Sequence, residues 1–340
     1  MTQAPSTRWQ ERIAPDEQAR YERAAEQFAQ IQQRRSARQG AGRALHRKQI
    51  TAVRGQLTIA PGLPAHAAHG LFAHPGTHEV WLRLSNGGMD RAPDRKPDIR
   101  GFAFRVFGVS GDSALGNGPV KSQDFTLINQ ETFSTSGSAD FIDLVVAASQ
   151  GGGALLKYLV RRYGVLGAIG QMKKAARTFG KPFSGFATET FNSVLPMACG
   201  PYAVRVRAVP DPANGKPSAD AKADWNADFS TRVAQHPLAW DVELQFFTDE
   251  SVTPIEDAAV NWPTPWLTVG RLTVPVQDTG APAGIAFAEQ IESSVIDVWQ
   301  AMAEHRPLGD VQRARKVVYF ASQKGRGAVD LAPASAVLPV

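Results

Sequence analysis

The spacing of hydrophobic and polar positions changes several times along the chain, and each change predicts a different kind of element. Residues 16–40 are rich in Ala, Gln, Glu and Arg, which is typical of an exposed helix. Residues 154–178 place apolar side chains on one helical face and basic side chains on the other. Two further helices are predicted towards the end of the chain, at 285–305 and 311–324.

Short runs of a second type lie between these helices. They either alternate apolar and polar residues or are rich in β-branched and aromatic residues, and Gly, Pro, Asn and Asp separate them. The predicted strands are 50–59, 78–85, 101–109, 124–129, 202–209, 240–248 and 266–276. Because strands follow one another without intervening helices, the pattern disfavours a doubly wound parallel sheet. It favours an α+β fold, with an antiparallel sheet or barrel and helices at its edge.

The composition narrows the class of protein. The chain has 340 residues, 43% of them hydrophobic and 20% charged, which is typical of a globular protein with room for a cofactor in its core. Cys199 is the only cysteine, which excludes an internal disulfide, a cysteine-rich zinc site and an iron–sulfur cluster held by this chain alone. There is neither a long apolar run nor an apolar N-terminal segment, so we expect a cytoplasmic protein without a transmembrane segment.

The charge distribution bears on the kind of partner. The formal net charge is +5 and the pI is near 9.4, but Lys and Arg are dispersed along the chain. This dispersion argues against a nucleic-acid-binding protein. The positive charge suits anionic partners in general, an acidic membrane surface among them.

A pair of residues near the end of the chain has the chemistry of an iron site. Arg315 and Tyr319 are four residues apart, so on a helix they lie side by side. A guanidinium next to a phenol stabilises the phenolate. A tyrosinate is a strong ligand for ferric iron, and tyrosine is a known axial ligand of haem. The same spacing also fits a plain amphipathic helix with its tyrosine on the core and its arginine in solvent.

A histidine and two arginines form the second group of candidates. His46 has the side chain best suited to proton transfer near neutral pH. Arg43 and Arg83 can form bidentate pairs with carboxylates of a protein or a ligand. Taken singly, His46 fits an ordinary surface or structural role, and each arginine fits a plain surface role.

Taken together, these segments resemble the haem catalases in their order and local context. In that family a segment R-x-x-H supplies the distal histidine and one propionate arginine, as RALH does at 43–46. A strand ending R-[FL]-S follows, with a second propionate arginine and a serine that orients the histidine, as in RLS at 83–85. The next family strand resembles KPDIRGFAFRVFGV at 96–109.

The resemblance continues to the end of the chain. The proximal ligand of the family lies in R-x-x-x-Y with a further arginine seven residues on, a spacing matched by Arg315, Tyr319 and Arg326. The likeness covers about residues 41–327, with gaps. Segments such as 305–319 place the chain near the short, catalase-related peroxidase branch of the family.

The resemblance implies an architecture. We expect a catalase-like antiparallel β-barrel with flanking helices, lacking the C-terminal helical and flavodoxin-like regions of larger catalases. The implied organisation is an N-terminal helical arm (1–40) followed by a haem-binding domain (41–340). Within that domain the β-barrel would span 41–280 and the proximal helical segment 281–330.

The resemblance also implies a cofactor and its contacts. We expect haem b, with Tyr319 as iron ligand and Arg315 keeping it ionised. His46 would be the distal acid–base catalyst, with Ser85 holding its imidazole. The expected propionate anchors are Arg43, Arg83 and Arg326.

One departure from the family affects the predicted activity. Full catalases carry a distal asparagine just before the strand matched by 124–129, whereas this stretch reads VKSQD at 120–124. Ser122 or Gln123 is the candidate replacement, and we assign Gln123 as a further catalytic residue. Loss of the asparagine favours turnover by an electron donor over dismutation. We therefore predict a peroxidase acting on hydrogen peroxide or small organic hydroperoxides, with an unidentified donor and weak catalase activity.

Three other functions fit the same residues. The first is a fatty-acid hydroperoxide isomerase or dehydrase that uses the same haem site. The second is a haem carrier or sensor without catalysis, and the third is a haem-free α+β binding module. The expected partners are otherwise copies of the chain itself, in a homodimer or homotetramer.

Overall fold

The structure is a computed structural model that describes residues 4–180 and 182–331, without the side chains of residues 177 and 179. The outer ends of the predicted arm (1–3) and of the predicted haem-binding domain (332–340) lie outside the described residues. The helices are α1 (Glu17–Gln39), α2 (Ser138–Ser149), α3 (Gly152–Gly180), α4 (Trp225–Gln235), α5 (Pro282–Ser293) and α6 (Asp310–Gly325). The strands are β1 (Gln49–Ile59), β2 (Gly76–Asn86), β3 (Arg100–Val106), β4 (Gln123–Ile128), β5 (Phe191–Asn192), β6 (Met197–Cys199), β7 (Tyr202–Pro210), β8 (Leu238–Phe246) and β9 (Trp266–Val274).

The strands form one antiparallel sheet that closes into a barrel. Their order is β5-β4-β3-β2-β1-β9-β8-β7, and β5 also pairs with β7, so eight strands of the described chain complete the ring. The closing contact is Phe191 opposite Ala208 and Asn192 opposite Arg207. The remaining strand, β6, pairs with β7. The predicted α+β fold with an antiparallel barrel and flanking helices is therefore confirmed.

The barrel interior is filled by large aromatic and β-branched side chains, which explains why these segments form strands. Phe102, Phe104 and Val106 alternate along β3 and are fully buried. Phe102 stacks on Phe191 and meets the edge of Trp240 across the barrel. Burial of such rings on one face fixes the register of each strand, because a slip by one residue would turn them outwards.

Three strand ends meet at one rim of the barrel and create the position for a site. Gln49 at the start of β1 lies opposite Ser85 near the end of β2. Ser85 in turn lies opposite Gly101 at the start of β3. The loop before β1, which contains His46, therefore lies against this rim.

Helix α1 is where the sequence expected it but is not an exposed helix. It packs along α6 and buries an apolar stripe spaced three and four residues apart: Tyr21, Ala24, Phe28 and Ile31. The Tyr21 hydroxyl donates to Asp310 Oδ1 at 2.6 Å. The high content of charged residues hid this stripe, because its few apolar residues are interspersed with Gln, Glu and Arg.

An ion-pair network also ties the N-terminal segment to α6. Arg313 in α6 lies 2.7 Å from Glu11, 2.8 Å from Glu17 and 3.0 Å from Glu256. Glu11 additionally accepts the backbone N–H of Gly309, the residue before α6. The N-terminal segment is thus fixed both to the first turn of α6 and to the residue that precedes it.

Two predicted helices differ from the structure. The helix expected at 285–305 ends at Ser293, and irregular structure with one short 3₁₀ turn follows. The backbone turns to an extended conformation at Ser294 (φ −80°, ψ 162°), and arginines from elsewhere in the chain donate to the carbonyls of residues 292–294, which a longer helix would pair internally. The helix predicted at 154–178 is present as α3, but Gly164 (φ 70°, ψ 174°) divides it into two pieces. No helix within the described residues is both long and apolar enough to span a membrane.

Candidate active site

His46 is held at the barrel rim in a strained backbone conformation. Its φ is 51°, a region that residues other than glycine rarely adopt. Hydrogen bonds on both sides fix it there: its N–H donates to the carbonyl of Gly87 at 2.9 Å, and Arg83 Nη2 donates to its carbonyl at 2.9 Å. The imidazole Nδ1 is 3.0 Å from Ser85 Oγ. The predicted His46–Ser85 pair is therefore present as a hydrogen bond.

The His46 imidazole lies directly over the backbone of Gly101. A Cβ at this position would be 2.5 Å from His46 Nδ1 and 2.7 Å from Ser85 Oγ, closer than real Cβ contacts come. Only glycine therefore leaves room for the imidazole and the serine hydroxyl together. The sequence singled out the segment GFAF as a strand but not this steric requirement.

The environment keeps His46 neutral. Burial, followed by the nearby charges of Arg83, Arg315 and Arg43, lowers the pKa of His46 to about 3. At neutral pH the side chain is an uncharged imidazole. With Nδ1 facing Ser85, Nε2 is the nitrogen left to exchange a proton with a substrate.

The three predicted propionate arginines converge on the C-terminal end of α5, where two of them contact the carboxylate of Glu292. Arg43 and Arg83 lie 3.0 and 2.8 Å from Glu292 Oε2. Arg326 donates to the backbone carbonyls of Glu292 and Ser293 at 3.2 Å and of Ser294 at 2.7 Å. Arg43 also reaches Glu292 O at 2.8 Å and Ser294 O at 2.9 Å. We call Arg43, Arg83, Arg326 and Glu292 the arginine cluster.

The arginine cluster contains more positive than negative charge. Burial and the neighbouring Arg83 and Arg326 lower the pKa of Arg43. Burial alone would raise the pKa of Glu292, but Arg83 and Arg43 lower it below its ordinary value. Arg326 Nε is buried and has no hydrogen-bond partner among the described residues. Three guanidiniums and one carboxylate leave two positive charges uncompensated, which is the charge balance of a site for a dianion.

Arg315 and Tyr319 form the predicted side-by-side pair on α6. Arg315 Nη2 donates to the Tyr319 hydroxyl oxygen at 2.7 Å, and the guanidinium carbon lies 4.8 Å from the centre of the tyrosine ring. The same Nη2 donates to Thr126 Oγ1 in β4 at 2.7 Å, and Nη1 donates to Gln312 Oε1 at 3.1 Å. Arg315 is thereby locked between α6 and the barrel wall, with a donor aimed at the phenol oxygen.

The two halves of the site share one electrostatic environment. Arg315 is close enough to His46 for its charge to lower the pKa of the imidazole. Tyr319 is close enough to Arg43 to oppose the lowering of the pKa of that arginine. Thr126, which accepts from Arg315, lies opposite Ala103, two residues from Gly101, and Arg326 of the arginine cluster ends the helix that carries Tyr319. The barrel rim, the arginine cluster and the Arg315–Tyr319 pair therefore border the same region.

Gln123 is not brought to this region. Gln123 begins β4 opposite Val106, whereas Ile128 at the other end of β4 lies opposite Gly101, beneath His46. Five residues of strand correspond to about 16 Å. The Gln123 side-chain oxygen accepts from the backbone N–H of Met302 at 3.0 Å, and Gln123 lines a narrow cavity on the inner side of β4 together with Thr126 and Gln312. The structure therefore gives no support to Gln123 as a partner of His46.

The structure adds three residues that sequence reasoning missed. Glu292 is the anion of the arginine cluster, Gly101 makes space for His46, and Thr126 accepts from Arg315. Glu292 is one of several acidic residues in a helical pattern, so no local signal distinguishes it. Gly101 has a weak signal, since a glycine inside a strand often marks a close approach.

Comparison with known proteins shows the fold. No family model and no curated protein sequence matches the chain. Among solved structures it is similar to a fungal catalase (TM-score 0.63, 16% identity, 84% of this chain and 59% of that one). It is similar to a bacterial catalase (0.63, 16%, 96% and 63%) and to catalase A from Saccharomyces cerevisiae (0.63, 15%, 84% and 61%).

The barrel and its flanking helices thus define a protein with the catalase fold. The chain spans about three fifths of the length of these catalases. At such low identity the likeness concerns the fold, and the chemistry has to be argued from the site itself.

Proposed function

We propose that this protein is a haem-dependent peroxidase that reduces hydrogen peroxide or small organic hydroperoxides. The observation that carries the proposal is the convergence of a neutral histidine, an arginine cluster and an arginine-bound tyrosine on one region of a catalase fold. The barrel region (41–280) supplies the histidine, and the segment 281–330 supplies the tyrosine.

The donor set fits haem b. The two uncompensated charges of the arginine cluster match two propionates, and Arg326 Nε offers a buried donor that the described chain leaves without a partner. Tyr319 would be the iron ligand, because Arg315 directs a guanidinium N–H at its oxygen and stabilises the phenolate. Bound haem would supply the iron and its two-electron redox chemistry.

The chain's own residues then handle the protons. The reduction of a hydroperoxide to an alcohol and water consumes two electrons, which an organic donor supplies, and two protons. His46, neutral at the outset, takes the hydroperoxide proton at Nε2 and returns it to the leaving oxygen as the O–O bond breaks. Ser85 and the backbone of Gly101 hold the imidazole in place for both transfers.

The absence of an asparagine at the expected position favours peroxidase over efficient catalase activity. The chain has no Asn at 120–124, and Gln123 lies too far along β4 to assist His46. Asn129, which follows Ile128 at this rim, already uses its side-chain oxygen to accept the backbone N–H of Arg100 at 2.7 Å. We expect oxygen evolution from hydrogen peroxide to be slow compared with the oxidation of a phenolic donor by the same preparation.

The test is haem binding followed by peroxide reaction. Purified protein is titrated with haemin, and its visible spectrum is recorded before and after peroxide. We expect a saturable Soret band that peroxide changes, and donor oxidation that depends on the haem. Tyr319→Phe should lose the tyrosinate-type spectrum while Tyr202→Phe, a barrel tyrosine on β7, should not. A protein that gains no Soret band, or a Tyr319→Phe variant with an unchanged spectrum, would contradict the proposal.

A further inference from the structure

Helix α3 exposes an unusual amount of apolar surface. Leu166 is 85% exposed, and further large apolar side chains on this helix are at least 46% exposed: Leu156, Val165, Ile169 and Met172. Leu159 and Ala168 are the buried residues of α3 among its described side chains. The main packing partner of α3 is α2, which leaves most of its surface uncovered. A cluster of this kind on one exposed helix marks an interaction surface.

The same helix is strongly basic. It contains six Lys and Arg and no Asp or Glu, so it has more positive charge than the net +5 of the whole chain. Arg162 pairs with Asp140 of α2 at 3.1 Å. Lys173 and Lys174 are exposed and form no ion pair with a described residue. In the second piece of α3, Val165, Ile169 and Met172 follow one another at helical spacing, with the lysines beside them.

A second cationic feature lies at the start of α3. A groove of about 370 Å³ is lined by Arg34, Arg35 and Arg38 of α1 and by Ser149 and Gln150, which lie in the chain just before α3. Arg35 pairs with Asp90 at 3.3 Å, but Arg34 and Arg38 form no ion pair with a described residue. Among the described residues, the groove therefore has two guanidiniums without an ion pair, next to the N-terminal end of α3.

We propose that α3 binds an anionic lipid bilayer, lying in its surface with the exposed apolar side chains inserted and the basic ones at the headgroups. The combination of inserted Leu, Ile, Val and Met with flanking Lys and Arg is what an in-plane interfacial helix needs. The α1 groove then takes a lipid phosphate. A second copy of the chain suits the surface less well, because a two-fold contact would place one basic helix against the other. The proposal does not depend on haem.

Vesicle binding tests the proposal directly. The full chain is mixed with phosphatidylcholine vesicles, with or without about 30% phosphatidylglycerol, and bound protein is separated by flotation. We expect binding to the anionic vesicles that weakens as salt is raised, and little binding to pure phosphatidylcholine. Lys173→Gln with Lys174→Gln should weaken binding about thirtyfold, at about one kcal/mol for each basic residue near the surface. Leu166→Gln with Ile169→Gln should weaken it more than about tenfold.

Matched variants away from α3 serve as controls. Lys216→Gln with Lys222→Gln removes two exposed charges from the loop before α4, and Ile13→Gln with Val276→Gln removes two exposed apolar side chains. Both should bind as the parent does. Equal binding to the two kinds of vesicle, no binding to either, or equal losses in the control variants would overturn the proposal. So would a stable dimer in light scattering that Leu166→Gln dissociates, if vesicles do not compete with it.

Discussion

The close approach of His46 to Gly101 allows a sharp test of the site. Gly101→Ala adds a Cβ that would be 2.5 Å from His46 Nδ1. To reach an ordinary van der Waals contact of 3.4 Å the imidazole must retreat by about 0.9 Å, and its 3.0 Å bond to Ser85 is lost with it. A misplacement of about 1 Å in a catalytic group lowers rates by about a hundredfold. We therefore expect the haem-loaded variant to react with peroxide about a hundred times more slowly than the parent.

The assay is stopped-flow spectroscopy of the peroxide reaction, with a second readout that needs no haem. Displacement of the ring towards solvent should raise the pKa of His46 from about 3 towards its ordinary value, which NMR titration of the imidazole measures. Gly76→Ala is the matched control, because a Cβ at this strand glycine meets nothing nearer than 3.8 Å. We expect it to match the parent in both rate and His46 pKa.

Unfolding of the variant is the main competing explanation for a slow reaction. Overpacking of this kind costs about 1–3 kcal/mol of folding stability, so far-UV circular dichroism and urea unfolding should accompany the kinetics. Ser85→Ala removes the same hydrogen bond without a clash and should slow the reaction about fivefold. A folded Gly101→Ala protein that reacts as fast as the parent would show that His46 does not act from this position.

Three further predictions concern the charged groups of the site. His46→Ala should retain haem, since it removes no anchor, and should slow the peroxide reaction by about two to four orders of magnitude in the same stopped-flow assay. The pKa of His46 is lowered in the folded state, so the unfolded chain binds a proton at higher pH than the folded chain does. The free energy of unfolding should therefore fall as the pH drops from about 6.5 towards 3. Urea unfolding of His46→Ala should show a shallower fall. Glu292→Gln leaves the guanidiniums of Arg43 and Arg83 without their carboxylate and should cost about 3 kcal/mol in urea unfolding, whereas Glu289→Gln on the exposed side of α5 should cost under about 0.5 kcal/mol. Equal stabilities of the two glutamate variants would contradict the proposed role of Glu292 as counterion.

The sequence predicted those features that depend on short segments. The strands matched because their aromatic and β-branched residues alternate over the length of a single element. The Arg315–Tyr319 and His46–Ser85 contacts were also predictable, the first from helical spacing and the second from a family resemblance.

Features that depend on packing between distant segments were not predictable in this way. The anion that Arg43 and Arg83 contact is Glu292, more than two hundred residues away, and nothing in its neighbourhood marks it. The distance of Gln123 from the rim that carries His46 was not predictable either, because the position of a side chain along a strand is set by sheet register, which local sequence does not reveal. The buried face of α1 depended on α6, its partner at the other end of the chain.

The attachment of the N-terminal segment to α6 has a consequence for ligand binding. Tyr21, Glu11 and Glu17 contact the first turns of α6, the helix that contains Tyr319. If Tyr319 binds the ligand that we propose, attachment of the N-terminal segment to α6 and ligand binding at Tyr319 should be thermodynamically linked, each strengthening the other by the same factor. Proteolytic removal of the N-terminal segment should then weaken ligand binding at Tyr319, and bound ligand should protect the segment from cleavage.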